Sequence, residues 1–149
     1  MEQQLVIFEV ENELYGVDIA NVESIIRMQA LTHLPNTPRF IDGVTNLRGE
    51  VVPIINLRKR FSMEPKEPTR ETRIMIANLG GVKAGLVVDA VAQVSRITEE
   101  DMEVPPQMLQ TSHSAFIRSI AHLDEHLVIL LDLAKVLTVE EKESLATLA

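Results

Sequence analysis

The chain contains no cysteine. That excludes a disulfide framework and thiolate chemistry. It is poor in aromatics, with four phenylalanines and one tyrosine. A core built from 46% hydrophobic residues must therefore be mostly Val, Ile and Leu, and the β-branched members of that set favour strands. Long apolar runs are also missing. The longest purely apolar stretch, Leu127–Leu131, is far too short to span a bilayer. Basic charge is in deficit, 14 Lys and Arg against 22 Asp and Glu, for a net charge of −8. That balance argues against a phosphate backbone or an anionic membrane as the main partner. The start, Met1-Glu2-Gln3-Gln4, is polar and acidic, unlike a secretion signal. The resulting expectation is a soluble cytoplasmic protein.

Catalytic equipment is equally scarce. No GxSxG elbow surrounds any serine. Gly80-Gly81 lacks a phosphate-loop continuation and reads as a hairpin turn. Glu99-Glu100-Asp101 falls within one turn and reads as solvated surface. His122 and His126 have a spacing that could hold a metal on a helix, but here they flank an Asp124-Glu125 turn with no third ligand in view. His33 and His113 stand alone. The basic cluster Arg58-Lys59-Arg60 is too small for nucleic-acid binding in so acidic a chain. No catalytic residue, metal site or cofactor is expected, and the balance favours a binding module.

What is present is an internal echo. Residues 40–61 and 116–137 align without a gap: Phe40-Ile41 answers Phe116-Ile117, and LRGEVVPIINL from Leu47 answers LDEHLVILLDL from Leu123. The echo extends backwards, with Leu5-Val6-Ile7 matching Ile74-Met75-Ile76, Gly16-Val17 matching Gly85-Leu86, and Val22, Ile25 and Arg27 matching Val91, Val94 and Arg96. The chain reads as two related β-rich units, 5–61 and 74–137. A polar, proline-interrupted linker at 62–73 joins them, and a helix is expected over 138–149. The capping-box pattern Thr138-Val-Glu-Glu141 opens that helix.

Within the units, the sequence predicts strands at Leu5–Val10, Leu14–Ile19, Val44–Leu47 and Val51–Ile55, then at Ile74–Leu79, Lys83–Val88, Val91–Ile97, Ile117–Leu123 and Leu127–Leu131. A short helical turn leading into a strand is expected over 21–27. Helical turns capped by Asn56 and Asp132 are expected at Leu57–Phe61 and Leu133–Leu137. Pro53 places its strand at an edge or a bulge. About five short strands per unit point to two small antiparallel barrels, because open sheets of that size leave sticky edges. The units differ most at one turn. The first reads Gly43-Val-Thr-Asn46-Leu47-Arg48-Gly49; the second, Ser119-Ile-Ala-His-Leu-Asp-Glu125, lacks the arginine and both glycines.

The runs YGVDI at Tyr15–Ile19, NTPRFIDGVTNLRGEVVPIINLRKRF at Asn36–Phe61 and GLVVDAV at Gly85–Val91 resemble the CheW-like domain family over essentially the whole chain. The resemblance implies a mainly all-β fold: two intertwined, SH3-like five-stranded barrels packed together, with short helices and a C-terminal helix, in a single domain spanning 1–149. It implies no enzymatic activity. It implies an adaptor that couples chemoreceptors to the histidine kinase CheA in chemotaxis signalling. A related pathway such as surface motility is an alternative within the binding class, and a small-barrel enzyme or nucleic-acid binder an alternative outside it.

The receptor tip is then expected in a groove between the barrels, at Val6, Ile19, Val22, Ile25, Val91 and Val94, with Arg48 as an oriented contact. Gly43, Asn46, Leu47 and Gly49 would shape the motif that presents it. Family members often carry glutamate at the position of Ser24. Here the acid is Glu23, one place earlier and on the other face of a strand. The kinase surface is expected at the barrel ends and in the segment holding Met102 and Met108.

Overall fold

The computed structural model describes residues 2–104 and 116–146. The first hairpin joins β1 (Glu2–Val10) to β2 (Glu13–Asp18). Its turn residues Glu11 and Asn12 both take left-handed backbone, φ 54° and 64°, the twist that tight hairpins require. A single 3-10 turn, Ile19–Asn21, follows; the Asp18 side chain caps it by accepting from the Ala20 N–H. It leads into β3 (Val22–Arg27), β4 (Ile41–Leu47) and β5 (Glu50–Asn56). Asn56 caps α1 (Leu57–Arg60) by accepting from the Lys59 N–H.

The second half gives β6 (Arg73–Asn78), β7 (Lys83–Val88), β8 (Ala90–Thr98), the two-residue β9 (Met102–Glu103), β10 (Ile117–Leu123) and β11 (His126–Leu131). Asp132 caps the 3-10 turn Leu133–Lys135, the counterpart of Asn56 before α1. In α2 (Val139–Ala146), Thr138 and Glu141 exchange hydrogen bonds as the capping-box pattern predicts. The outermost part of the expected helix, residues 147–149, lies outside the described residues.

The strands form two curled sheets, mainly antiparallel. One runs β8-β1-β2-β11-β10-β9 and the other β3-β6-β7-β5-β4. Apart from the short β9, the two orders are the same, and the registers repeat. Val6 faces Val94 across β1 and β8 as Met75 faces Ile25 across β6 and β3. Gly16 meets Leu130 in the parallel pair β2–β11 as Gly85 meets Ile54 in β7–β5. Each sheet thus takes its β1–β2 or β6–β7 hairpin from the other half of the chain. Both glycines allow close approach: a Cβ on Gly85 would lie 2.6 Å from Ile54 and Ile74, and one on Gly16 3.0 Å from Leu130.

Strand alternation sorts the apolar residues into three clusters. Leu5, Ile7, Ile97, Ala121, Val128 and Leu130 fill the first sheet's own interior. Val52, Ile54, Ile74 and Ile76 fill the second's. The intervening positions, Val6, Phe8, Val10, Met75, Ala77 and Leu86 among them, meet in a common layer between the sheets. Four of the five aromatics stack in a column, Phe8–Tyr15–Phe61–Phe116, with centroids 4.8–5.9 Å apart.

Two expectations are refined. The first sheet has a sixth strand, because β9 pairs with β10 through Met102↔Ala121 and Glu103↔Ile120. β5 is not an edge strand; it lies between β7 and β4. Pro53 is accommodated because it pairs only with Val44 of β4, one residue before the β5–β7 ladder begins at Ile54, and next to the register shift between Ile41 and Gly43. Its missing N–H falls where no ladder bond is needed.

Candidate partner-binding seam

The expected groove residues sit at the border of the inter-sheet layer, in graded exposure. Val6 is only 2% exposed and belongs to the core itself. This corrects its expected place: it supports the seam from beneath and does not line it, because the inward alternation of β1 buries it between the sheets. Ile19, Val22 and Val91 are half-buried and pack on the inter-sheet core. Ile25 and Val94 stand 40% and 53% exposed. Val22 and Val91 hold matching positions in the two registers, Val22↔Ala77 and Phe8↔Val91, as do Ile25 and Val94. Five of the six apolar residues therefore lie along the border of the inter-sheet layer: Val22 and Ile25 on β3 and Val91 and Val94 on β8 form two related strips, and Ile19 sits on the 3-10 turn just before β3. Both β3 and β8 are terminal strands of their sheets.

Arg48 lies elsewhere, at the tip of the β4–β5 hairpin. Arg48 and Gly49 take φ of 54° and 85°, again a left-handed pair. The Asn46 side chain accepts from the Gly49 N–H at 2.8 Å, pinning the turn. Leu47 tucks against the second sheet's interior cluster. Gly43 has φ 144°, and a Cβ there would lie 2.5 Å from the Thr32 carbonyl oxygen. The bridge Thr32↔Val44 holds the Leu31–Pro38 loop against β4. Among the described residues, the exposed Arg48 guanidinium has no hydrogen-bond or ion-pair partner. Glu23 is engaged instead by Lys83, whose Nζ lies 2.9 Å from it and 3.0 Å from Glu50. Those hydrogen bonds, Glu23 first, raise the Lys83 pKa.

Of the kinase candidates, Met102 is half-buried against the first sheet's interior, and Met108 lies outside the described residues. His122 approaches Glu103 at 3.3 Å, and no group of three metal-ligating side chains occurs among the described residues.

The basic cluster, dismissed as a nucleic-acid surface, proves to be a set of clamps that sequence reasoning missed. Arg58 is 9% exposed and bonds Asp89, Glu11 and the Glu64 carbonyl. Lys59 pairs with Asp42 at 2.7 Å. Arg60 bonds the Val136 carbonyl and Glu141 and lies 4.8 Å over the Phe40 ring. The signal available was the asymmetry of the echo, since Ala134 stands where Arg58 does in the first unit.

No described helix is long and apolar enough to cross a membrane. The model of the CheW-like domain matches residues 4–141. The chain is 38% identical to the chemotaxis protein CheW of Klebsiella aerogenes over 93% of this chain and 84% of that one. It is 34% identical to the chemotaxis protein CheW of Treponema pallidum over 97% and 88%. The crystal structure of the scaffolding protein TtCheW from Thermoanaerobacter tengcongensis superposes with a TM-score of 0.86 at 39% identity, covering 96% of this chain and 97% of that one. Fold, register and these likenesses agree: the chain belongs to the CheW-like domain family, a family of non-catalytic chemotaxis scaffold proteins.

Proposed function

We propose that this protein is an adaptor that couples the cytoplasmic tips of chemoreceptors to the histidine kinase CheA, acting on the cytoplasmic face of receptor arrays. The observation that carries the reading is the seam: half-buried Val22 and Val91 at matching positions, flanked by exposed Ile25 and Val94. Two related apolar strips suit an amphipathic helix laid between them. Burying what remains exposed of these side chains is worth on the order of 1 kcal/mol each. That supports a reversible contact, as an adaptor requires. Arg48 adds an exposed, directed charge beyond the seam. Met102, together with the barrel ends, is the proposed kinase side.

The test is co-sedimentation of receptor cytoplasmic fragments with CheA. The kinase is expected to pellet with receptor only when this protein is added. Recruitment of CheA at the same level without it would overturn the reading.

A further inference from the structure

Arg27 of β3 and Arg73 of β6 are directly opposite each other in the ladder that joins these strands. Like charges at opposed positions destabilise a sheet. Arg70 lies on the same cleft, of about 440 Å³, with Met28, Thr69 and Thr72. Among the described residues none of the three arginines forms an ion pair. Arg73 is held in place, its Nη1 donating to the Arg70 and Thr72 carbonyls at 2.8 and 2.9 Å, which leaves Nε and Nη2 free of those bonds. The turn beneath is fixed by the buried Thr72, whose hydroxyl accepts from the Thr69 N–H.

The duplicated register supplies an internal control. At the matching place in the other sheet, Arg96 faces neutral Gln4 and reaches Glu2 at 3.5 Å. One sheet neutralises its arginine; the other doubles it. Glu71, the counterpart of Glu2, pairs with neither Arg27 nor Arg73. A single charge on a terminal strand protects the edge. A second arginine opposite adds repulsion without adding that protection.

We propose that the Arg27–Arg70–Arg73 cleft is a docking site for an acidic segment of a partner protein. Guanidinium forks match carboxylates. Ile25 lies on the same exposed face of β3 as Arg27, about 7 Å along the strand. The segment therefore carries an apolar residue beside its acids, which separates it from a free anion. In a chain of net charge −8, the cleft offers such a segment a local cationic landing place.

The probe is a synthetic hexapeptide of three glutamates alternating with three leucines, titrated calorimetrically at low salt into the full chain and its Arg27→Gln, Arg73→Gln and Arg96→Gln variants. Removing Arg27 or Arg73 weakens binding about tenfold or more, whereas removing Arg96 leaves it unchanged. Inorganic phosphate at the same concentration does not displace the peptide. In the absence of peptide, Arg27→Gln melts higher than the parent at low ionic strength, and the difference vanishes at high salt as screening removes the repulsion. Absence of peptide binding by the parent chain, equal loss in Arg96→Gln, displacement by phosphate, or a lower melting temperature for Arg27→Gln would each overturn the proposal.

Discussion

Arg58 grips Asp89 with two parallel hydrogen bonds, Nε to Oδ1 at 3.0 Å and Nη2 to Oδ2 at 2.6 Å. Asp89 is the single residue between β7 and β8, where the chain passes from one sheet to the other. Its second carboxylate oxygen also accepts from the Glu11 N–H, and its own N–H donates to the Glu9 carbonyl. The crossing point is thus tied to α1 on one side and to the β1–β2 turn on the other.

Burial pushes the Asp89 carboxyl pKa up. The hydrogen bonds from Arg58 and the Glu11 N–H, with the Arg58 charge, outweigh burial and hold it below the ordinary 3.8. A depressed carboxyl pKa stabilises the fold above the unfolded-state value, and that contribution is lost as pH falls through the folded-state value. Urea unfolding at neutral pH is expected to show Arg58→Ala destabilised by about 2–4 kcal/mol, because a largely buried carboxylate loses its partner. Asp89→Asn is expected to flatten the fall in stability below about pH 4. An unchanged acid limb in Asp89→Asn would assign acid sensitivity to other carboxylates.

The two parallel strand contacts give a paired test. Gly85→Ala forces a methyl to 2.6 Å from Ile54 and Ile74 in a fully buried site, while Gly16→Ala meets its neighbours at 3.0–3.2 Å. Overpacking of this kind costs about 1–3 kcal/mol. Gly85→Ala is expected at or above the top of that range and Gly16→Ala near the bottom. Comparing the two denaturation midpoints, with equal slopes, checks the ranking.

Strand positions were legible because alternation and turn residues are local signals. Glu11-Asn12, Arg48-Gly49 and Gly80-Gly81 mark turns whatever the strands pair with. The exchange of hairpins was not legible from patterning, because β1–β2 and β6–β7 present the same alternation and either could close on its own half. Only the resemblance to the family implied intertwined barrels. Val6 was misplaced for a related reason. Alternation says that Val6 and Leu5 face opposite ways, but not that both faces of β1 are covered. The role of Arg58 was hidden because its partners, Glu11 and Asp89, are 47 and 31 residues away. Charge pairs at such separation leave no local pattern.

Arg48 makes no side-chain bond among the described residues, so Arg48→Ala is expected to leave the melting temperature within about 1–2 °C of the parent, as for a neutral surface change. Kinase activation in a receptor–CheA reconstitution is expected to fall. Lysine at 48 should restore it only in part, lacking the planar fork of donors. A sharp drop in melting for both variants would make Arg48 structural.

The NLRG turn and its counterpart should differ in tolerance. Gly49 has φ 85° and open space around its missing Cβ, so Gly49→Ala carries only the backbone penalty, roughly 1 kcal/mol. Gly43→Ala adds a clash with the Thr32 carbonyl and should cost more. Glu125→Ala, in an exposed turn, should be near neutral. Melting and coupling measured on all three decide it. Coupling lost equally in Glu125→Ala and Gly49→Ala would show that function is not concentrated in the first unit's turn.

Val22→Asp tests the seam most directly. Val22 is half-buried against the inter-sheet core, yet it belongs to a terminal strand, so a carboxylate there can turn toward water in the free protein. A docked helix would remove that escape, and an unpaired charge sealed beneath it costs on the order of several kcal/mol. Receptor binding should therefore fall at least a hundredfold, while circular dichroism stays native and binding to CheA changes little. Val91→Asp, at the matching position of β8, is expected to behave in the same way, because on the proposed reading one helix lies against both strips. Pull-downs against each partner separate the possibilities. Equal loss of receptor and kinase in a folded variant would count against the groove assignment. A loss for Val22→Asp alone would restrict the contact to β3 and remove the argument from matched strips.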